Sequence, residues 1–212
     1  MKASIATLVA FTLLGTTSCV LAASSVDLSV TGSITPSACT PSLSQGGAVD
    51  YGKIAATDLN VDNPTELPTV TLQLNVNCDA PTLFALHTQD NRQGSSNYVH
   101  PRNYGLGLIN GDQKLGSYQI DVFNPVADTT VSPLFSADKG ATWISNPTGT
   151  YFEPGAWVAF GDPSSGAPFM PKALLSVTAD LPITASIAPT SGLTLIEEVP
   201  LDGSATLEVL YL

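Results

Sequence analysis

Positive charge is scarce in this chain: its 212 residues hold seven Lys and Arg against 18 Asp and Glu, a formal net charge of -11. A chain so acidic repels phosphate backbones and anionic lipid, which sets aside nucleic-acid and anionic-membrane binding as primary roles. Histidine is confined to His87 and His100, so neutral-pH base catalysis has little to draw on. No G-x-S-x-G elbow occurs, and Gly161-Asp162-Pro163-Ser164-Ser165-Gly166 reads as a loop. Glu197 and Glu198 are adjacent, which on a strand sends the two carboxylates to opposite faces. The cysteines lack the paired spacing of a zinc site. Asp58, Asn60 and Asp62 imitate the opening of a calcium loop, but Asn63 stands where its glycine belongs and Thr69 where its bidentate glutamate belongs. Neither an enzyme nor a cofactor or metal site is expected. Helical periodicity is also missing: no run of ten or more residues combines a 3.6-residue period with caps.

The first 22 residues read as a secretory signal peptide. Lys2 supplies a positive start, Ile5 to Leu14 an apolar core, and Val20-Leu21-Ala22 a cleavage site, with Ala23 as the second choice. Cys19 offers a lipoprotein alternative, but Thr16-Thr17-Ser18 before it lacks the leucine of a lipobox. No later segment is long and apolar enough to cross a membrane as a helix. Cleavage leaves a chain of about 190 residues, suited to one all-β domain. It also leaves Cys39 and Cys78 as the remaining cysteines, which should pair in an oxidising compartment.

Strand signals dominate the mature chain. Val70, Leu72, Leu74, Val76 and Cys78 alternate with polar residues at a period of two. Similar runs cover 84–87, 118–123, 157–160, 174–181, 183–187 and 205–212. Between them lie turn signals, Asn110-Gly111, Asp138-Lys139-Gly140, Asn146-Pro147, Asp162-Pro163 and Asp202-Gly203. The pattern predicts an all-β sandwich. Residues 91–102 and 162–171 read as long loops, sites of recognition or plain surface insertions. Trp143 and Trp157 fit a sandwich core better than a sugar-stacking surface.

The two ends carry a further pattern. Val26, Leu28 and Val30 alternate with polar residues, and Gly32 continues their parity. At the other end Ala205, Leu207, Val209 and Tyr211 share a face, and the sequence runs to Leu212 without a polar tail. An apolar strand with an open edge invites aggregation unless another strand covers it.

These ends resemble those of chaperone–usher fimbrial subunits. Such subunits carry an N-terminal strand of alternating apolar residues, a glycine, and a cysteine seven residues later, as Gly32 and Cys39 stand here. A second cysteine follows on an alternating strand, as Cys78 does, and the chain ends in an apolar strand with a penultimate aromatic, as Tyr211 is. Tyr104-Gly105-Leu106-Gly107 and Lys114-Leu115-Gly116-Ser117-Tyr118 resemble a less characterised fimbrial-like group. The sequence departs from the common pattern at Val199, where many subunits have glycine.

The resemblance implies an immunoglobulin-like β-sandwich lacking its final strand, with domain limits of 36–212. It implies a donor strand in 23–35 (Val26, Leu28, Val30, Gly32) and a C-terminal strand (Leu207, Val209, Tyr211, Leu212) that meets a periplasmic chaperone. An outer-membrane usher would then bring neighbouring fimbrial subunits, whose donor strand replaces the chaperone's, in an extracellular fimbria. The alternative reading is a monomeric secreted sandwich that binds carbohydrate, its N-terminal stripe being the first strand of its own domain.

Overall fold

Alternation of side chains across the pleat builds the centre of the molecule. In a computed structural model, described for Ser29 and residues 38–212, the run around Val70–Thr82 is one 13-residue strand whose Leu72, Leu74 and Val76 are buried while Thr71 and Gln73 are exposed. The strands in chain order are β1 (Cys39–Leu43), β2 (Thr65–Glu66), β3 (Val70–Thr82), β4 (Phe84–Asp90) and β5 (Tyr104–Gly105). Then come β6 (Leu108–Ile109), β7 (Gln113–Lys114), β8 (Gly116–Ala127), β9 (Ser132–Ser136) and β10 (Ile144–Ser145). The series closes with β11 (Thr150–Tyr151), β12 (Trp157–Gly161), β13 (Leu174–Ile187) and β14 (Ala205–Tyr211). Apart from three short 3-10 turns, no helix occurs among the described residues.

Two antiparallel sheets account for nearly all of these strands. The first runs β1-β3-β13-β8-β11, with β2 attached to β13 and β5 to β8; the second runs β10-β9-β12-β4-β14. Their inner faces meet in a core of Leu72, Leu74 and Val76 from β3, Val122 from β8 and Leu181 from β13, against Leu86 from β4 and Val158 and Phe160 from β12. This is the expected sandwich. A second cluster, Tyr104, Leu106, Ile109, Leu115, Tyr118 and Ile187, adjoins this core through Ile120 and Ile183, which pack against both. On the outer face of that sheet Ala85, Leu134 and Ala159 are covered by Trp143, with Trp157 and Phe169 packed alongside. Both tryptophans therefore serve packing, and the 162–171 loop contributes Phe169 as cover.

One expected boundary is absent. The runs 174–181 and 183–187 form a single strand, β13, that passes through Pro182. Proline has no N–H to donate, and the ladder with β8 lapses between Asp180 and Ile183, while pairing with β3 continues as Pro182↔Thr71. The turn signals act as expected. Asn110 and Gly111 lie between β6 and β7 with φ of 52° and 94°, the left-handed backbone that tight hairpin turns favour.

Candidate functional site

The last strand is an edge. β14 pairs with β4 from Ala205↔Asp90 to Tyr211↔Phe84, and no strand pairs with its other side among the described residues. The outermost strand of the facing sheet is β1, in register with β3 from Cys39↔Cys78 to Leu43↔Leu74. These two edges lie on the same side of the sandwich, so among the described residues no strand covers one flank of the core.

That flank holds an apolar groove of about 750 Å³. Its floor is core: Leu72 of β3, Ile120 of β8, Leu181 and Ile183 of β13, and Phe152. Leu207 of β14 lines one side, and Leu43 stands at the end of β1. Two irregular segments complete the walls, through Val49, Tyr51, Ile54 and Leu59, and through Leu195, Val199 and Leu201. Asp50, Lys53, Glu197 and Glu198 stand on its polar margin, where Lys53 Nζ lies 2.8 Å from Glu198 Oε2. Both partners are largely exposed, so the pair adds little to stability. The Tyr51 hydroxyl is buried and has no hydrogen-bond partner among the described residues. Burial pushes its pKa up. Buried hydroxyls are nearly always satisfied, so Tyr51 leaves an unfilled polar position in an otherwise apolar wall.

Along β14 the inward parity is the expected one. Leu207 and Val209 pack against the core yet remain only half-buried, unlike Leu72 or Leu74 in the sheet centre. Tyr211 continues the same parity, and its hydroxyl accepts a hydrogen bond from the Cys39 backbone N–H at 2.9 Å. Leu212 has the opposite parity; its backbone N–H donates to Leu83 O at 3.1 Å. Cys39 and Cys78 form the expected disulfide. Val26, Leu28, Val30 and Gly32 lie outside the described residues, as does the signal segment.

The groove walls at 49–59 and 195–201 escape the strand pattern. Their apolar residues sit in stretches broken by Asp, Asn, Pro and Gly. The usable signal is the recurrence of Leu193, Leu195, Val199 and Leu201 in a segment that makes no strand, each turned toward the core.

Below the groove lies a buried polar contact. The Tyr104 hydroxyl donates to the Phe152 carbonyl at 2.6 Å and lies 2.6 Å from Thr88 Oγ1. Desolvation raises the pKa of both Tyr104 and Tyr118, whose rings stack at 4.9 Å. These phenols stay neutral and hold packing in place. No group of three or more His, Cys, Asp or Glu suited to a metal occurs among the described residues.

Residues 28–102 match the model of a family described as "Protein of unknown function (DUF1120)". The chain is similar to Protein GltF of Escherichia coli (strain K12), 29% identical over 223 residues, covering 88% of each chain. It is also similar to Uncharacterized protein YhcF of the same organism, 27% identical over 218 residues, covering 89% of this chain and 90% of that one.

Proposed function

We propose that this chain is a structural subunit of a bacterial surface fimbria, exported through its signal peptide and assembled by exchange of β-strands. The observation that carries the reading is the 750 Å³ apolar groove floored by core side chains beside the edge of β14, which no strand pairs among the described residues. A strand laid there would pair with β14 and bury its apolar side chains against Leu72, Ile120 and Leu181. It would also offer main-chain groups within the wall that holds the Tyr51 hydroxyl. Addition of a strand to a sheet edge is an established recognition mode, in which main-chain hydrogen bonds give affinity and side-chain pockets give specificity.

In this reading a periplasmic chaperone lends the first strand. At an outer-membrane usher it is replaced by Val26, Leu28 and Val30 of the next subunit. Each Val or Leu fully buried contributes about 1.5–3 kcal/mol, and the ladder adds to this. The protein acts by assembly and carries out no reaction. The half-buried state of Leu207 and Val209, against the full burial of Leu72 and Leu74, supports the reading.

The test is purification of the mature chain with and without a peptide spanning residues 23–35. Alone it is expected to self-associate; with excess peptide it should become monomeric and melt at a higher temperature. A stable monomer that ignores the peptide rejects the reading and favours a self-contained secreted sandwich. Aspartate at Val26, Leu28 and Val30 of the peptide should abolish its effect.

A further inference from the structure

The segment Asn91–Arg102, expected as a loop from its polarity, builds one wall of a second cleft. This cleft has a volume of about 480 Å³, and its lining includes His87, Gln89, Tyr98, His100, Asn103 and Lys114. The volume falls in the range of small-molecule sites. Both histidines of the chain line it.

The loop is held in shape before any ligand arrives. Ser96 Oγ donates to the Tyr98 carbonyl at 2.7 Å and Asn103 Nδ2 donates to the same oxygen at 3.0 Å. Asn103 is held in turn by Gln119, whose Nε2 donates to its Oδ1 at 2.7 Å. Ser96 bridges to Gly116 at the start of β8. On this support the Tyr98 ring stands 64% exposed, stacked on His100 with planes 12° apart and centroids at 6.3 Å. An aromatic face left in solvent beside a cleft of mixed apolar and polar lining suits the C–H face of a sugar ring, with the donors and acceptors of His87, Gln89, His100 and Asn103 alongside to meet its hydroxyls.

The charges select among sugars. Asp90, the one carboxylate in the lining, is already satisfied: Oδ1 accepts from Arg92 N at 2.8 Å and Oδ2 from Gly105 N at 3.0 Å. Arg92 and Arg102 nearby are committed to Asp202 and Asp121. The Lys114 ammonium has no ion pair or hydrogen bond among the described residues and is the free cation of the lining, while the Glu208 carboxylate lies behind His87, Oε2 3.5 Å from Nδ1. His100 Nδ1 accepts from Arg102 N at 3.3 Å, which leaves Nε2 as a further donor. The repulsion of the acidic chain as a whole is screened over about 8–10 Å at physiological salt, whereas Lys114 acts within hydrogen-bond reach.

We infer that this cleft binds a carboxylate-bearing saccharide, of the uronic or sialic acid type, with the sugar ring on Tyr98 and the carboxylate on Lys114. The inference stands apart from the groove along β14 and from what fills it.

The experiment is an NMR titration of the mature protein with the methyl glycosides of glucuronic acid, N-acetylneuraminic acid and glucose. At least one acidic glycoside should shift the imidazole signals of His87 and His100 saturably, and bind about tenfold tighter than the neutral one. Tyr98→Ala and Lys114→Gln are both exposed changes and should each weaken binding about tenfold, with Lys139→Gln as an inert control. Absence of saturable shifts at millimolar sugar overturns the proposal. Equal binding of acidic and neutral glycosides, or unchanged binding in Lys114→Gln, overturns the assignment of the carboxylate.

Discussion

The Cys39 backbone N–H donates to the Tyr211 hydroxyl across 2.9 Å, and so ties the outermost strand of one sheet to the outermost strand of the other. The contact lies where the disulfide anchors β1 to β3. It closes one end of the flank that the groove leaves open, and it gives the aromatic next to the chain's last residue a structural task. Tyr211→Phe keeps the ring and removes the acceptor. A loss of about 1 kcal/mol in chemical denaturation is expected. An unchanged midpoint would show that the sheets are held at this corner by packing alone.

The disulfide makes a larger demand on the chain. Cys39 and Cys78 stand directly opposite in the β1–β3 register and close a loop with a sequence separation of 39. The paired change Cys39→Ser with Cys78→Ser should cost about 2–5 kcal/mol. Matched thermal melts with and without reductant provide the measurement. The wild-type melting temperature should fall in reductant, and that of the double variant should not move.

Gly116 begins β8 opposite Ile187, where a Cβ would collide with the Ser186 carbonyl oxygen and press on Leu106 Cδ1 at 3.0 Å. The obstruction on one side is backbone, which yields little. Gly116→Ala should destabilise by about 1–3 kcal/mol. Gly192→Ala meets nothing within 4 Å and should stay within about 0.5 kcal/mol of wild type.

Asp138 organises the turn after β9. It accepts from Thr142 N at 2.9 Å, from Thr142 Oγ1 at 2.6 Å and from Ser136 Oγ at 2.7 Å. The Thr142 hydroxyl is the largest cause that lowers its pKa, from 3.8 to about 2. A carboxylate with a depressed folded pKa contributes its stabilisation above the unfolded value and loses it as pH falls through the folded one. The turn should therefore hold at pH 4 and loosen as pH falls from there toward 2. A carboxyl carbon titration by NMR should place the Asp138 midpoint near 2, and a midpoint near 4 would refute the hydrogen-bond account.

Much of the architecture was legible where side chains alternate. Val70 to Cys78 declares its strand because it has one dry and one wet face, and Ala205 to Tyr211 declares its own by the same alternation of apolar and polar residues, although its apolar face is only half-buried. β9 was not legible: Ser132-Pro133-Leu134-Phe135-Ser136 is buried on both faces, so it shows no alternation to read. β1 contains Pro41 and two serine or threonine residues, and it becomes a strand because the disulfide and β3 hold it in register. Of the candidate groove, the β14 side could be read from the Leu207–Val209 parity. The walls at 49–59 and 195–201 could not, since irregular chain has no period and only tertiary packing turns Tyr51 or Leu195 inward.

The pairing of β14 with β4 joins segments separated by most of the chain, and β13 must lie between β3 and β8 before the first sheet exists. Contacts so distant in sequence make folding slow, because the loop must close before any pairing stabilises it. β4 is complete at Asp90, yet its first partner, β12, begins at Trp157 and its second, β14, at Ala205, which at typical synthesis rates are delays of about 3–13 s and about 6–23 s. Until β12 arrives Phe84 and Leu86 have no native sheet to enter, and until β14 arrives the sheet they join stays open on its other side. The order in which the strands emerge therefore sets a window during which this chain depends on being shielded, before any question of assembly arises.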